Sequence, residues 1–401
     1  MSKNLRRMVT IGLVVAMGIL PMSAHSNMAS AQEQEQTGTL VMTKEDEIDS
    51  FDDLAGMTLD LSDKNIVPDD KGKVEIDVSD AVQQGNMART TVVYGEKKFT
   101  IENLSNFSDV AGATVKYRPI QNIYVTSKYV YVTQVYNDKN VKLSRCEIDT
   151  KNNSKASYVN SMNLENVGHG QTLVPYTKKY EGVDRHYFLV CAGAIRSEGF
   201  DYWEAKSVGR IKYQPGATIN QIDSFVNVEY SNKTRSLFAN LRRCAVNLSI
   251  DGETMLMFKQ STSGNVQYSF YDFNEVNNIF NSRVSGDRNF KGTKLADACL
   301  GDMDKNEFPN GQLQGIDIDD NLNIYIVCDG DNTEDQKAIL SVIDYKTRKT
   351  RNYDLSWKVN KKLEIEGIQV RKNKIYIGAS PKLNADRKTA YIFSIDRDSL
   401  I

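Results

Sequence analysis

Histidine and cysteine are scarce in this chain of 401 residues, and their scarcity removes several chemistries at once. Only three histidines occur, and just two of them, His169 and His186, lie beyond the N-terminal segment. Two imidazoles 17 residues apart make a zinc centre or a Ser-His-Asp triad hard to assemble. The five cysteines, Cys146, Cys191, Cys244, Cys299 and Cys328, are odd in number, widely spaced and free of any C-x-x-C pair. That spacing excludes a zinc ribbon and a small disulfide scaffold. Cys146, Cys191, Cys244 and Cys328 sit in or beside apolar runs and read as buried free thiols, with room left for one or two disulfides. A phosphate-cradling glycine loop, a basic helix and an aromatic RNA-binding signature are all missing, which argues against nucleotide and nucleic-acid partners. Sustained 3.6-residue periodicity is missing as well, and only residues 275–280 (EVNNIF) read as a turn or short helix.

No apolar run reaches the roughly 20 residues that a membrane span needs. The nearest is residues 8–20, preceded by Lys3, Arg6 and Arg7, broken by Pro21 and followed by the small-residue pattern Ala29-Ser30-Ala31. This is the pattern of an export signal over residues 1–31, and the expectation is a secreted, extracellular protein. Residues 32–80 hold 15 acidic and 4 basic side chains, a net of −11. Residues 81–401 carry +6, so the overall −2 hides an acidic leader ahead of a moderately basic body. The leader has few aromatics and reads as disordered or only partly folded, and residues 81–401 read as the folded domain. Outside a cell, a basic body favours anionic surfaces such as teichoic acids or anionic lipids.

One phrase recurs five times in that body: a β-like run, an Asp/Asn/Lys/Gly turn, then a second run with Tyr, Ile and Val. The clearest copies are residues 314–327 (QGIDIDDNLNIYIV) and 366–378 (EGIQVRKNKIYIG). Looser copies occupy 119–133 and 244–258, and a stretched one runs from the GHGQT segment at 168–172 to HYFLV at 186–190. Each is followed by a third, more polar run. Equivalent positions Tyr131, Tyr187, Leu256, Tyr325 and Tyr376 are separated by 56, 69, 69 and 51 residues, which is propeller-blade spacing with loop insertions. The expected fold is therefore all-β, a propeller-like ring of about five blades of antiparallel strands. Residues 87–106 read as a hairpin around Gly95-Glu96-Lys97-Lys98 and would add a sixth blade if they contribute one. The run at 389–395 stands near enough to the C-terminus to close the ring against an early strand, which leaves no long edge free.

Aligning the five copies puts Gln121, His169, Gln171, Arg243, Gln314 and Glu366 at or near the channel-lining positions. They can hydrogen-bond a sugar or phosphate, or satisfy buried polar groups and water around the channel. Asp317, Asp319 and Asn321 invite a calcium reading, but the sixth and twelfth positions of a calcium loop are taken by Leu322 and Cys328. A tight turn accounts for them more simply. Glu366 with Asp317 or Asp319 could make a carboxylate pair suited to glycoside hydrolysis. No cofactor is expected, and the overall reading is of a protein that is not an enzyme.

Several phrases together resemble the helveticin J family of large class III bacteriocins. They are GHGQT at 168–172, RCAVNLSID at 243–251, the segment from Gly315 to Ile326, Glu366-Gly367-Ile368-Gln369, and WEAKSVGR at 203–210. The resemblance runs from about residue 167 to the C-terminus and fades towards the N-terminus. It implies a protein that binds the envelope of related Gram-positive bacteria and inhibits or kills them, without an agreed enzymatic reaction. The implied partner is an anionic cell-wall polymer, with peripheral membrane contact left open. The alternative is a non-killing, adhesin-like or glycan-binding propeller on the producer's own surface.

Overall fold

The computed structural model describes residues 91–104, 117–151, 154–180, 182–196, 202–283, 287–305, 312–329, 338–357, 363–381 and 389–400. The expected export signal and acidic leader lie outside them.

The chain enters with β1 (Thr91–Glu102) and then builds four-stranded antiparallel blades in order. Blade 1 is β2 (Ile120–Val125), β3 (Tyr129–Tyr136), β4 (Asn140–Ile148) and β5 (Lys155–Leu164). Blade 2 is β6 (Leu173–Tyr180), β7 (Val183–Arg196), β8 (Trp203–Ile211) and, after the two-residue β9 (Thr218–Ile219), β10 (Asp223–Val226). Blade 3 is β11 (Leu241–Leu248), β12 (Thr254–Ser261), β13 (Val266–Asp272) and β15 (Cys299–Lys305). Between β13 and β15 run helix α1 (Phe273–Asn281), the short β14 (Asn289–Lys291) and helix α2 (Gly292–Leu295). Blade 4 is β16 (Gln312–Ile318), β17 (Ile324–Asp329), β18 (Ile339–Ile343) and β19 (Thr350–Trp357). Blade 5 is β20 (Leu363–Val370), β21 (Lys374–Pro381) and β22 (Ala390–Asp396).

The fifth blade takes its fourth strand from the other end of the chain. β1 runs antiparallel to β22 from Glu96↔Ser394 to Ile101↔Ala390. Its first half also pairs in parallel with β19, and its last residues with β5, so one strand stitches blades 4, 5 and 1 together. Ring closure near the C-terminus therefore occurs as the sequence implied. The hairpin expected at 87–106 does not form, and the sixth blade it would have begun is absent from the described residues. Gly95 looks like a turn residue but serves a different need. A Cβ there would lie 2.2 Å from the Trp357 ring, so the strand continues straight and the indole occupies the space.

Inner and second strands read as near-continuous apolar runs because neighbouring blades cover both of their faces; all eight residues of β12 are buried. The apolar cores lie between blades. Tyr131, Leu143, Phe188 and Val190 pack blade 1 on blade 2, and Val174, Leu189, Met255, Met257 and Tyr271 pack blade 2 on blade 3. Leu340, Leu355, Ile377 and Phe393 pack blade 4 on blade 5, and Phe99, Val132 and Ile392 close blade 5 on blade 1. α1 is capped by the Asp272 side chain, which accepts from Asn274 N and Glu275 N, and buries Phe273, Val276 and Phe280 in the blade 2–3 core. All five cysteines are buried and free.

A set of side chain–backbone bonds fixes the inner strands around one axis, and each joint between blades has one. Asn122 Nδ2 donates to Gln171 O (2.8 Å), joining blade 1 to blade 2. Thr172 Oγ1 accepts from Val246 N (3.1 Å), joining 2 to 3. Asn247 Nδ2 donates to Ile316 O (3.0 Å), joining 3 to 4. Asp317 Oδ2 accepts from Val370 N (2.5 Å), joining 4 to 5. Gln369 closes the circle by accepting from Val125 N (2.7 Å) and donating to Val125 O (3.2 Å). These five residues occupy the same position of the repeated phrase. The bonds satisfy the inner backbone polar groups that no further strand can reach, and such groups are costly when left bare.

Candidate functional site

Four of the five inner strands slip register near their starts, between Ile120 and Asn122, Leu241 and Arg243, Leu313 and Gly315, and Ile365 and Ile368. A bulge of this kind re-aims the side chains at the break. The residues at the four breaks include Gln121, Arg242, Gln314 and Glu366. In blade 2 the equivalent place is the GHGQT segment that leads into β6. Polar side chains thus gather where the inner strands begin, at one end of the channel.

The structure divides the sequence candidates into two groups. In the first, Gln121 Nε2 donates to Glu366 Oε1 (3.3 Å). Gln314, with its amide turned to satisfy both ends, donates to Glu366 Oε2 and to Leu313 O (3.2 Å each). Glu366 is 2% exposed, so its carboxylate is held by neighbouring amides inside the ring. Gln171 is buried and donates to Leu313 O of blade 4 (3.0 Å), which makes it a frame residue as well.

His169 and Arg243 belong to the second group. Glu204 Oε1, on β8, receives Arg242 Nη2 (3.1 Å) and Arg243 Nη1 (3.5 Å), while Arg243 Nε donates to Gln260 Oε1 (2.8 Å). Glu204 and Arg243 are buried and Arg242 is half-buried. The Arg242 guanidinium donates to Tyr202 Oη (2.8 Å), whose ring lies 5.3 Å from that of His169. Gly168 has φ +67°, and a Cβ there would come within 2.8 Å of the Glu204 backbone, so glycine lets this loop lie on β8 and present His169. Burial lowers the His169 pKa, with Glu204 opposing and Arg243 and Arg118 reinforcing, which keeps the imidazole neutral near pH 7. Its Nδ1 makes no hydrogen bond. His186 is elsewhere, with Nδ1 2.8 Å from Thr177 Oγ1.

The acidic cluster in blade 4 has other work. Asp317 accepts from Ile318 N (2.8 Å) and locks blade 5, and burial raises its pKa well above the carboxylate range. Asp319 closes the turn by accepting from Asn321 N and Asn323 N (2.9 Å each) and from Tyr325 Oη (3.0 Å). The side chains of Asp317 and Asp319 are therefore spent on the frame and the turn, and no group of three or more metal-ligating acids, histidines or cysteines gathers among the described residues. Neither aspartate is offered as a partner to Glu366.

Glu204, Arg242, Tyr202 and Gln260 were not among the sequence candidates. A signal was available: Glu204 is a lone acid in a strand with a buried face, and Arg242-Arg243 is a basic pair opening an otherwise apolar strand.

The family described as bacteriocin helveticin-J matches residues 95–395. No curated protein matches the chain. Among solved structures, an exo-β-1,3-galactanase from Phanerochaete chrysosporium with β-1,3-galactotriose has a TM-score of 0.39 at 11% identity, covering 75% of this chain and 65% of that one. An α-L-arabinofuranosidase from Podospora anserina in complex with cellotriose has a TM-score of 0.39 at 9% identity, covering 77% and 98%. A mannose phosphorylase from Leishmania mexicana has a TM-score of 0.35 at 12% identity, covering 77% and 89%. The expectation that this chain is not an enzyme is corrected by these neighbours, which are carbohydrate-active enzymes by name. At such identities and scores the likeness transfers no reaction or substrate.

Proposed function

This chain belongs to the bacteriocin helveticin-J family, and we propose that it is a secreted bacteriocin that docks on the envelope of related Gram-positive bacteria and inhibits them. The family match across residues 95–395 carries this reading. Two further features support it. The body is net basic, which favours an anionic wall. Arginines also cluster where the inner strands begin, among side chains suited to a polar ligand. No described helix is long and apolar enough to cross a membrane.

Viable counts of a panel of related Gram-positive bacteria exposed to the purified protein test the reading. Loss of viability in at least one member is expected. Binding without loss of viability would favour the surface-binding alternative, and absence of both across the panel would end the proposal.

A further inference from the structure

We propose that Glu204, Arg242, Arg243 and His169 form a recognition site for a polyol or saccharide unit that bears an oxyanion. The site deepens the envelope-binding reading and rests on it for its biological ligand.

The chemistry follows from which donors and acceptors remain. Arg243 commits Nε to Gln260 and Nη1 to Glu204, which leaves Nη2 without a partner among the described residues. A buried guanidinium with donors to spare suits an oxyanion, which accepts from planar N–H forks. Arg242 stands beside it, and a single Glu204 oxygen serves both arginines. The hydrogen bonds to Glu204 all fall on Oε1, so Oε2 is an acceptor without a donor among the described residues. His169 Nδ1 is a second such acceptor, on a ring that burial keeps neutral. Acceptors of this kind are matched by hydroxyls, and donors of this kind by an anion. A ligand that carries both, such as a glycerol phosphate or a uronic acid, satisfies the whole set, whereas a bare inorganic anion leaves the acceptors unmatched.

Glu204 and Arg243 are buried, and His169, Tyr202 and Arg242, which flank them, are each partly exposed. The Tyr202 ring offers a flat surface beside the polar groups, with Arg242 Cζ 5.7 Å from its centroid.

Isothermal calorimetry supplies the readout, since it needs no reporter group in the site. The full chain is titrated with poly(glycerol phosphate), polygalacturonate and uncharged dextran, and the heat of binding is followed. Saturable change with at least one anionic polymer and none with dextran is expected, and the two anionic arms separate phosphate from carboxylate. Arg242→Gln should weaken binding about tenfold or more, equivalent to about 1.4 kcal/mol. His169→Gln, at a loop position that does not hold the frame, should weaken it as well and serves if Arg242→Gln impairs folding. Lys374→Gln, which removes an exposed pair with Asp396, should change nothing. Equal binding of dextran, or unchanged affinity in both site variants, overturns the proposal, as does binding to anionic lipid vesicles but to neither polymer. If cells bind both site variants as well as the parent, the site fails and the envelope reading stands. If the parent binds polymer through this site but ignores cells, the site stands and the envelope reading fails.

Discussion

Replacing Lys259 by methionine should stabilise the protein near neutral pH and change how its stability responds to alkali. Lys259 lies on β12 with no exposed surface, its Nζ 3.3 Å from Ser231 Oγ and 5.8 Å from the centroid of the Phe238 ring. Burial lowers its pKa from 10.5 to about 8, with Asp302 opposing. A displacement of that size corresponds to about 3 kcal/mol of disfavour for the ammonium form. The unfolded chain binds more protons than the folded one between pH about 8 and 10.5, so the contribution of this residue to stability rises with pH across that window. Below pH 8 the cost is fully present. Methionine matches the stem and removes the charge. It leaves Ser231 bonded to Tyr271 Oη (2.8 Å), and Asp302 bonded to Lys233 N (2.8 Å) and Ser269 Oγ (2.6 Å). A net gain of about 1–3 kcal/mol at pH 7 is expected. The assay is urea unfolding of parent and Lys259→Met at pH 7, 8, 9 and 10. Buried thiols oppose the trend in both proteins, since burial pushes Cys146 and Cys299 to about 12 and favours unfolding as pH rises. That effect cancels in the difference, so the advantage of Lys259→Met should shrink steadily above pH 8. Parallel curves for the two proteins from pH 7 to 10 would refute the reasoning.

Two further predictions concern the axis. Gly367 has φ +81°, and a Cβ there would lie 2.8 Å from Asn122 Cα in the facing inner strand. Gly367→Ala should cost about 2–4 kcal/mol in denaturant unfolding, whereas Gly301→Ala, with open space around its Cβ position, should be near neutral. Gln369→Leu removes both bonds to Val125 and leaves its backbone N–H and C=O bare. It should cost about 1–3 kcal/mol and raise amide exchange at the joint of blades 5 and 1, while exchange at Val246, in the joint of blades 2 and 3, stays near the parent's.

Much of the ring was legible because inner and second strands are covered on both faces and so must be apolar and β-branched or aromatic. Tyr131, Tyr187, Leu256, Tyr325 and Tyr376 all fall on the second strand of their blade. The fourth strands were not legible. β5 and β19 are partly exposed, with alternation too weak to stand out from loops, and β10 is four residues long. β1 reads as a hairpin in sequence because Gly95 signals a turn, while the reason for that glycine lies at Trp357, over 260 residues away. The candidate residues were nominated from three different positions of the repeat, since the bulges shift register near the channel. The position that holds the ring, Asn122, Thr172, Asn247, Asp317 and Gln369, passed unnoticed. Its five side chains share reach and hydrogen-bonding capacity rather than chemical type. The GHGQT phrase now has a physical account: Gly168 lies on β8, Gly170 O accepts from Thr133 Oγ1 (2.9 Å), Gln171 reaches Leu313 O of blade 4, and Thr172 binds blade 3. That leaves His169 as the member without a part in the frame, its ring beside Tyr202 and its Nδ1 unbonded.

The central claim is that this bacteriocin-family propeller recognises an anionic envelope, and the most direct measurement is binding of the fluorescently labelled protein to intact Gram-positive cells with and without wall teichoic acid. Saturable binding that falls sharply when the polymer is removed, and that weakens as salt rises, is the predicted result. Absence of binding to either cell type, or equal binding to both at every ionic strength, would contradict it.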